Sequence, residues 1–360
     1  MGDSESAGRE TRLLRASPEA IDLAAGLIRA GELVAFPTET VYGLGADATN
    51  GDAVARIFSA KGRPTTDPLI VHVAATDQLA RLVAGNLLPL AEALIAAFWP
   101  GALTLILPRH LQLPAAVSGG RMTVAVRMPD HPVALDLLRT ASVPIAAPSA
   151  NRFGHTSPTT AQHVYDDLAG RLPLILDGGP TALGVESTIL DLTGARPQVL
   201  RPGGVSLEAI RHIAPDAVLI SRYVAESGSV PATEGPQASG QRLIHYAPAA
   251  MLTVFDGDDE AARQAIRQAA AEQVAQGRRV GLLLTDADLM PLADLRLPYI
   301  SLGDGDDLYG IAQRLFASLR ALDSRELDVI LARTVPDEGI GTAIRDRLLR
   351  AAAGRVIRVG

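Results

Sequence analysis

The sequence contains no cysteine, and this absence excludes several kinds of protein at once. Without thiols the chain forms no disulfide framework, holds no thiolate zinc site and offers no thiol nucleophile. Aromatic residues are scarce too, at 4% of the 360 residues, so few rings are present on which nucleic-acid bases stack. No apolar run approaches the ~20 residues that cross a bilayer, and the N-terminus lacks the apolar core of a signal peptide. We therefore expect a cytoplasmic protein with no membrane segment.

The common nucleotide-binding and hydrolase motifs are missing as well. No G-x-x-x-x-G-K-[ST] loop occurs, no G-x-G-x-x-G follows a candidate strand, and neither H-E-x-x-H nor G-x-S-x-G is present. The formal net charge of −7 argues against a protein that coats nucleic acid non-specifically, although it leaves room for a local basic cleft. Any nucleotide is therefore bound without the usual phosphate loops.

The remaining composition, 48% hydrophobic and 20% charged, is that of a globular protein long enough for two domains. Between residues 11 and 213, short apolar runs alternate with helical patterns, which is typical of one α/β domain on a large, mixed sheet. Asp52 is the expected N-cap of the second helix. The predicted strands are 33–36, 69–74, 103–107, 123–127, 144–147, 173–177, 187–192 and 198–201, and the predicted helices are 18–30, 52–60, 87–97, 132–140, 160–169 and 206–213.

Residues 214–248 form the predicted linker, since most of this segment is rich in Gly, Ser, Pro and Ala. After it the alternation restarts and predicts a small, largely parallel, doubly wound domain over residues 249–360. We find no internal repeat in the chain. The predicted strands of this second domain are 251–255, 279–284, 327–332 and 355–359, and its predicted helices are 258–276, 307–322 and 342–353.

The stretch VAFPTETVYGLG (34–45) begins as a buried strand and then at once presents polar side chains. Thr38, Glu39, Thr40 and Tyr42 follow the strand on a backbone loosened by glycine. Open α/β sheets bind their ligands at the ends of strands, so the stretch predicts one wall of a ligand site. Taken alone, it fits a strand-to-helix connector equally well.

A second stretch, SAKGRPTTDPL (59–69), closes a predicted helix with two cations around a glycine. Lys61 by itself is compatible with an ordinary helix C-terminus, where a cation offsets the dipole. Arg63, two threonine hydroxyls and Asp67 follow within six residues. This combination favours a site for a nucleotide phosphate and its metal.

Arg127 and His72 are titratable residues that fall inside predicted strands. Alternation in TVAVR (123–127) places Arg127 on a face with Thr123, and a buried Arg is costly unless its planar fork meets an anion. An edge-strand Arg that points to water is the alternative. His72 lies inside LIVHV and is interpreted by default as a core histidine whose hydrogen bonds are satisfied.

Three further loops carry polar groups beside predicted strands. APSANRFGHTSPTT (147–160) offers Ser149 and Asn151 where a strand ends, and GVESTIL (184–190) opens a strand with Ser187. RPG (201–203) ends the last strand of the first domain. Each of these signals is weak when taken alone.

Taken together and in order, these stretches closely resemble the YrdC-like family in its long, two-domain form. The resemblance is dense over residues 11–213 and extends to SGQRLIHYAP and GIGTAIRDRLLRAA in the second half of the chain. It implies a YrdC-like α/β domain with a large, mixed, twisted sheet, plus a smaller doubly wound, Rossmann-like C-terminal domain. The stretches that carry it are PTETVYGLG, KGRPTTDPLIVHV, VAVRMPDHP, APSANRFGHTSPT, GVESTILDL and VLRPGG.

The resemblance also implies a reaction, in which L-threonine, bicarbonate and ATP give threonylcarbamoyl-AMP and pyrophosphate. Other proteins, forming a tRNA-modifying transferase complex, then use this product to modify an adenosine in tRNA. Threonine and bicarbonate give a carbamate, which is already an oxygen nucleophile, so its attack on the α-phosphate needs positioning and charge stabilisation more than a strong base. The missing catalytic triad and the missing cysteine are then expected.

The resemblance assigns roles to individual residues. The K-x-R…S-x-N pattern of the family is met by the four expected catalytic residues Lys61, Arg63, Ser149 and Asn151. The L-threonine site is expected at Thr40, His72, Arg127, the backbone at Ala147, and Ser187. The ATP site is expected at Arg63, Asp67, Thr123, Ser149, Ser157, Arg201, Arg242 and Tyr246. We expect magnesium to arrive with ATP and to be held chiefly by the phosphates, since no dedicated carboxylate cage is visible.

The linker departs from the pattern of the family. Members often carry proline, lysine and a further tyrosine shortly before HYAP, where this chain has Ser239, Arg242 and Leu243. A lid over ATP would exclude water and protect a labile mixed anhydride, and Arg242 would supply the basic group. Deletion of residues 236–248 is then expected to increase leakage of the intermediate more than it weakens threonine binding.

Two rival functions follow from the same residues. An RNA-binding module would use Lys61, Arg63, Arg127 and Arg201 on a concave surface, but the net charge and the few aromatics argue against direct RNA binding. A carbamoyltransferase of hydrogenase maturation shares K-x-R…S-x-N, but such proteins carry Cys-rich zinc fingers. The absence of cysteine excludes this second rival.

Overall fold

The computed structural model describes residues 10–220 and 246–360, which form two compact units. Within the described ranges, the first unit contains residues 10–153, 157–182 and 186–220. The second contains 154–156, 183–185 and 246–360. Most of the predicted linker lies outside the described residues.

The first unit is built on one mixed sheet of eleven strands, which confirms the predicted sheet type. The strands are β1 (Arg12–Arg15), β2 (Val34–Phe36), β3 (Gly43–Asp47), β4 (Ile70–His72), β5 (Leu103–Pro108), β6 (Thr123–Arg127), β7 (Ile145–Ala146), β8 (Leu174–Asp177), β9 (Thr188–Asp191), β10 (Gln198–Arg201) and β11 (Val218–Leu219). Their order across the sheet is β1-β8-β2-β3-β7-β4-β6-β5-β9-β10-β11. All eight predicted strands are present, and β1, β3 and β11 were not predicted.

Within residues 10–220, six α-helices cover this sheet, all at predicted positions. They are α1 (Pro18–Arg29), α2 (Gly51–Lys61), α3 (Pro89–Phe98), α4 (Pro132–Ala141), α5 (Ala161–Leu168) and α6 (Leu207–Arg211). The expected cap of α2 is wrong by two residues, because the N-cap is Asn50 and not Asp52. The extended backbone of Asn50 lets its Oδ1 accept hydrogen bonds from the amides of Asp52 and Ala53, at 3.0 and 3.2 Å. Asp52 lies in the first turn, where its charge suits the helix dipole.

Strand β3 shows why the stretch GLGAD was misinterpreted. Its two glycines suggest a loop, yet it pairs antiparallel with β2, with Val34 opposite Gly45. A Cβ at Gly45 would lie 2.7 Å from both the Ile145 side chain and the Phe36 ring. Glycine is therefore required here for close packing in a strand and does not signal a turn.

The core lies in two layers, one on each face of the large sheet. Helices α1 and α4 bury Ala24, Ile28 and Leu138 on one face, whereas α2 buries Val54 and Ile57 on the other. Successive residues of β2 and β8 alternate between these two layers, as the period of a strand requires. The first unit thus holds its loops on a sheet that is covered on both sides.

The described part of the second unit has five strands, all parallel, in the order β14-β13-β15-β12-β16. Its elements are β12 (Met251–Gly257), α7 (Asp259–Ala275), β13 (Val280–Leu284), α8 (Asp286–Leu289), β14 (Tyr299–Ser301), α9 (Leu308–Asp323), β15 (Val329–Arg333), α10 (Gly341–Ala351) and β16 (Val356–Val359). The predicted parallel α/β domain is confirmed, with β14 and α8 as additions. Across the described ranges of both units, no helix combines the length and the apolar character needed to cross a bilayer.

Candidate active site

The loop between β2 and β3, residues 37–42, is buried along its whole length. The Thr38 hydroxyl donates to the carbonyl oxygen of Val41 at 2.6 Å and lies 2.8 Å from the Thr40 hydroxyl. The Tyr42 hydroxyl donates to the carbonyl oxygen of Gly179 at 2.7 Å. Thr38 and Tyr42 therefore hold the loop in shape, while Glu39 and Thr40 remain as its other buried polar side chains.

Arg127 is the cation that meets this loop. It ends β6, which lies between β4 and β5, so the edge-strand alternative is wrong. Its side chain is buried, and its Nη2 donates to Oε2 of Glu39 at 2.8 Å while Nη1 donates to the Thr40 hydroxyl at 3.1 Å. The guanidinium thus has a carboxylate partner inside the protein, and its Nε has no hydrogen-bond partner among the described residues.

His72 stands beside Arg127, because the two are paired in register on the parallel strands β4 and β6. Its ring meets the Phe36 ring edge-on, with centroids 6.1 Å apart. Burial, and secondly the nearby Arg127 charge, lower the pKa of His72 to about 3, so the ring is neutral. His72 is in the core as expected but not satisfied, since Nδ1 finds no partner within the described ranges. We call Glu39, Thr40, His72 and Arg127 the Arg127 cluster.

Lys61 is the last residue of α2 and the only lysine in the chain. Its side chain is buried, and Nζ donates to the carbonyl oxygen of Ser149 at 2.6 Å and to that of Asn151. Burial, and secondly the charge of Arg63, lower the pKa of Lys61 well below its ordinary value. An amine that only offset the helix dipole would lie in solvent, so this alternative does not describe Lys61.

Arg63 and Asp67, which follow Lys61 in the chain, are also buried. Gly62 adopts a left-handed conformation that ends α2, and Nη2 of Arg63 then donates to the carbonyl oxygen of Pro68 at 3.1 Å. The guanidinium is 3.9 Å from the Asp67 carboxylate and packs near the ring of Phe153. We call Lys61, Arg63, Ser149 and Asn151 the Lys61 cluster.

A third group joins β5, β9 and β10. The Ser187 hydroxyl lies 2.8 Å from that of Thr104, and Nη2 of Arg201 donates to the carbonyl oxygen of Ser187 at 2.9 Å. Thr104, Ser187 and Arg201, here called the Ser187 cluster, are all buried. A Cβ at Gly203 would lie 2.3 Å from the carbonyl oxygen of Glu186, so RPG needs its glycine to pass close to the chain before β9.

The remaining expected residues lie on strand ends and loops of the first unit. The amide of Ala147 donates to Ile70 at the start of β4, and Ser149 is bridged to Gly43 at the start of β3. Thr123 is the half-buried first residue of β6. Ser157 is fully buried, and its hydroxyl donates to the Glu186 carboxylate at 2.5 Å.

Main-chain hydrogen bonds connect the three clusters. The Tyr42 carbonyl oxygen accepts from the amide of Ala150 at 2.8 Å, which joins the loop of Glu39 and Thr40 to the loop of Ser149. Strand β5, which carries Thr104, pairs antiparallel with β6, which carries Arg127. The first unit thus brings together loops that are far apart in the sequence.

Two expected ATP residues are not among these groups. Arg242, like Ser239 and Leu243, lies outside the described residues, and so does most of the expected lid. Tyr246 belongs to the second unit, where its buried ring is 5.4 Å from the Phe316 ring and 5.2 Å from the Arg347 guanidinium. Their roles stay predictions.

Sequence reasoning missed three buried polar residues: Glu39, Thr104 and Glu186. Glu39 and Glu186 lie inside stretches that were singled out, but neither received a role. Thr104 carried a signal, since it is the one polar side chain in the apolar strand LTLIL. Only the fold shows that these residues contact Arg127, Ser187 and Ser157.

Within the described ranges, no group of three or more His, Asp or Glu side chains is placed to hold a metal ion. Asp67 is buried and lies 3.9 Å from the Arg63 guanidinium, whose charge already balances this single carboxylate. These residues fit a magnesium ion that is held mainly by nucleotide phosphates, as is usual for this cation, and do not fit a cage made by the protein.

Comparisons with known proteins match both halves of the chain. A family model described as "Telomere recombination" matches residues 26–203, and one described as "Threonylcarbamoyl-AMP synthase, C-terminal domain" matches residues 205–353. A threonylcarbamoyl-AMP synthase of Bacillus subtilis is 47% identical over 338 residues, or 93% of each chain. This chain belongs to the threonylcarbamoyl-AMP synthase family. The long YrdC-like form expected from the motifs is thereby confirmed.

Solved structures agree with this assignment. Sua5 of Pyrococcus abyssi in complex with L-threonine is 42% identical, with a TM-score of 0.88 over 98% of this chain and 100% of that chain. The threonylcarbamoyl-AMP synthase of the same organism is 44% identical over 94% of this chain and 96% of the relative. Members of the family form an adenylate, so the chain is an enzyme of the nucleotidyl-transferring kind. The rival hypothesis, an RNA-binding module without this activity, is not favoured.

Proposed function

We propose that the three clusters of the first unit form threonylcarbamoyl-AMP and pyrophosphate from L-threonine, bicarbonate and ATP. The observation that carries this assignment is the contact between Ser187 and Arg201, at 2.9 Å, because one residue is expected to hold threonine and the other ATP. Hydrogen bonding between the two sets is what a site for two joined substrates requires.

The Arg127 cluster takes the amino acid. Arg127 binds the threonine carboxylate, because its buried Nε is an N–H donor with no partner among the described residues. Thr40, the neutral ring of His72 and the backbone at Ala147 line the pocket. Ser187, directly before β9, closes the pocket.

The Lys61 cluster takes the triphosphate. Arg63, Ser149 and Arg201 hold ATP together with Asp67, Thr123 and Ser157, and Lys61 and Asn151 lie beside the reacting α-phosphate. A phosphate oxygen is a stronger acceptor than the two carbonyl oxygens that now face Nζ. A bound nucleotide therefore stabilises the protonated form of Lys61. Magnesium that arrives with ATP supplies charge neutralisation on the phosphates.

The reaction proceeds by attack of the threonine carbamate oxygen on the α-phosphorus, with pyrophosphate leaving on the opposite side. The protein supplies alignment and positive charge for this step, which is the main source of rate in phosphoryl-group chemistry. Bicarbonate enters between the Arg127 and Lys61 clusters. The product serves threonylcarbamoyl-adenosine modification of tRNA, and because it is a labile mixed anhydride, a downstream transferase complex must take it up directly.

Pyrophosphate release tests the proposal. The assay uses ATP and magnesium with or without L-threonine and bicarbonate, on the full chain and on Lys61→Ala. Release that requires both co-substrates and falls by about 10²-fold or more in the variant supports the proposal. Release indifferent to threonine contradicts it, and salt-dependent RNA binding without turnover would favour the rival module.

A further inference from the structure

The Arg127 cluster contains a carboxylate to which the family resemblance assigns no role. Glu39 is buried, with 6% of its surface exposed, and uses one oxygen, Oε2, to accept from Arg127. Its other oxygen, Oε1, is buried and has no hydrogen-bond partner within the described ranges. A buried acceptor left without a donor has lost its hydrogen bonds to water without replacement, so this oxygen calls for an explanation.

Three buried polar atoms of this cluster lack partners in the part of the chain that is described, and they differ in kind. Arg127 Nε is a donor, Glu39 Oε1 is an acceptor, and His72 Nδ1 belongs to a neutral ring that either donates or accepts. Threonine carries one group complementary to each: a carboxylate, an ammonium and a hydroxyl. The set therefore matches the polar groups of one amino acid.

We propose that Glu39 Oε1 binds the α-ammonium of the substrate and accepts the proton that this group loses before it is carboxylated. This inference rests on the proposed function of the cluster. The ammonium gives its proton to Glu39 and becomes an amine. The amine nitrogen then attacks the carbon of bicarbonate, the C–O bond to the departing hydroxide breaks, and the second N–H proton leaves with it as water. The carbamate keeps the negative charge, and Glu39 returns its proton to solvent.

The surroundings of Glu39 suit a proton acceptor. Burial raises the pKa of this carboxyl above its ordinary value, although the Arg127 charge and the nearby amides of Glu39 and Asp130 act in the opposite direction. The Asp130 carboxylate also raises it slightly. A raised pKa of the Glu39 carboxyl is closer to the pKa of the substrate ammonium, so proton transfer from the ammonium to Glu39 is less unfavourable. The charged groups that act on Glu39 are thus Arg127 and Asp130, with the neutral His72 beside Arg127 on β4.

The decisive experiment compares Glu39→Gln with wild type across pH, with pyrophosphate release measured at low threonine and fixed bicarbonate. Glutamine keeps the length and an oxygen for Arg127 but takes up no proton. We expect kcat/KM for threonine to fall by about 10²-fold at about pH 7, and the loss to shrink as alkaline pH deprotonates the free amine. A loss of the same factor at every pH, or no loss, would overturn the inference.

Two controls complete this test. Glu32→Gln changes another glutamate that pairs with an arginine, Arg56 at 3.0 Å, and is expected to leave the pH profile unchanged. If Glu39→Gln does not fold, the pH dependence of the wild-type enzyme tests the inference instead. If Glu39 accepts the proton, the kcat/KM of the wild-type enzyme for threonine is flat from neutral to mildly alkaline pH. A rise of about tenfold per pH unit would show that only the free amine reacts and would refute the role of Glu39. A wild type that releases no pyrophosphate would instead refute the proposed function.

Discussion

The Nζ of Lys61 donates a hydrogen bond of 2.6 Å to the carbonyl oxygen of Ser149, which lies 88 positions later in the chain. This bond joins the two halves of the K-x-R…S-x-N pattern, because the Lys61 side chain belongs to the first half and the Ser149 backbone to the second. Lys61 is the only lysine, and all the other strongly basic side chains of the chain are arginines, including Arg63 two positions later. A lone ammonium in an otherwise arginine-only chain indicates that its compact charge and its ability to lose a proton matter at this position.

Because Lys61 is the only lysine, its titration is directly observable. Protein labelled with ¹⁵N,¹³C-lysine gives one side-chain signal, and we expect its pKa to lie well below 10.5, since burial disfavours the charged form. Addition of ATP and magnesium should raise this pKa, because phosphate stabilises the ammonium, so binding at alkaline pH takes up a proton. An unshifted pKa in the free protein would contradict the burial argument.

Lys61→Arg tests whether positive charge alone is sufficient. A guanidinium is larger and planar, so it does not fit the buried space in which the compact Nζ donates to two carbonyl oxygens. We expect pyrophosphate release to fall by about 10²-fold, while calorimetry shows threonine binding changed by less than about threefold. The matched control is Arg56→Lys on the same helix, which should leave turnover unchanged. Full activity in Lys61→Arg would show that charge suffices.

Gly203→Ala is expected to disturb the Ser187 cluster through the backbone of Glu186 and Ser187. The new Cβ would lie 2.3 Å from the Glu186 carbonyl oxygen, so the backbone before β9 must shift. We expect a loss of stability of about 2 kcal/mol, measured by urea unfolding, together with weaker threonine and ATP binding. Gly194→Ala is the control, since its nearest neighbour is 3.7 Å away. Equal behaviour of the two variants would contradict this prediction.

His72 should make the stability of the ligand-free protein depend on acid pH. Its pKa is about 3 in the folded state and near 6.5 when unfolded, so between these values the unfolded chain binds the extra proton and stability falls as pH falls. The raised pKa of Glu39 acts in the opposite direction above about pH 4.5, so wild type must be compared with His72→Gln. From about pH 6 to about pH 4 the free energy of unfolding of wild type should fall more steeply, by up to about 1.4 kcal/mol per pH unit. Parallel curves would show that folding does not lower the pKa of His72.

Local pattern was sufficient wherever one face of an element is apolar. The period of α1 and α4, the alternation in β6 and the largely parallel second domain followed from side-chain spacing, because burial selects that spacing directly. Pattern failed for β3, whose glycines suggest a loop but are needed for close packing against Phe36 and Ile145. It also failed at the cap of α2, where Asn50 and Asp52 are both good candidates and only the backbone conformation of Asn50 decides.

The sequence by itself determined the family, through six ordered motifs, and identified most polar residues of the three clusters, but it gave no role to Glu39 or Thr104. Which of them touch was decided by the tertiary structure alone. The ion pair of Arg127 with Glu39, and the bonds from Lys61 to Ser149 and from Arg201 to Ser187, join residues that are 88, 88 and 14 positions apart. No spacing rule predicts such contacts, because the distance between two loops depends on the order of strands in the sheet. Among the described residues, the same order leaves one buried oxygen of Glu39 without a hydrogen-bond partner, and the motif alone gave no sign of it.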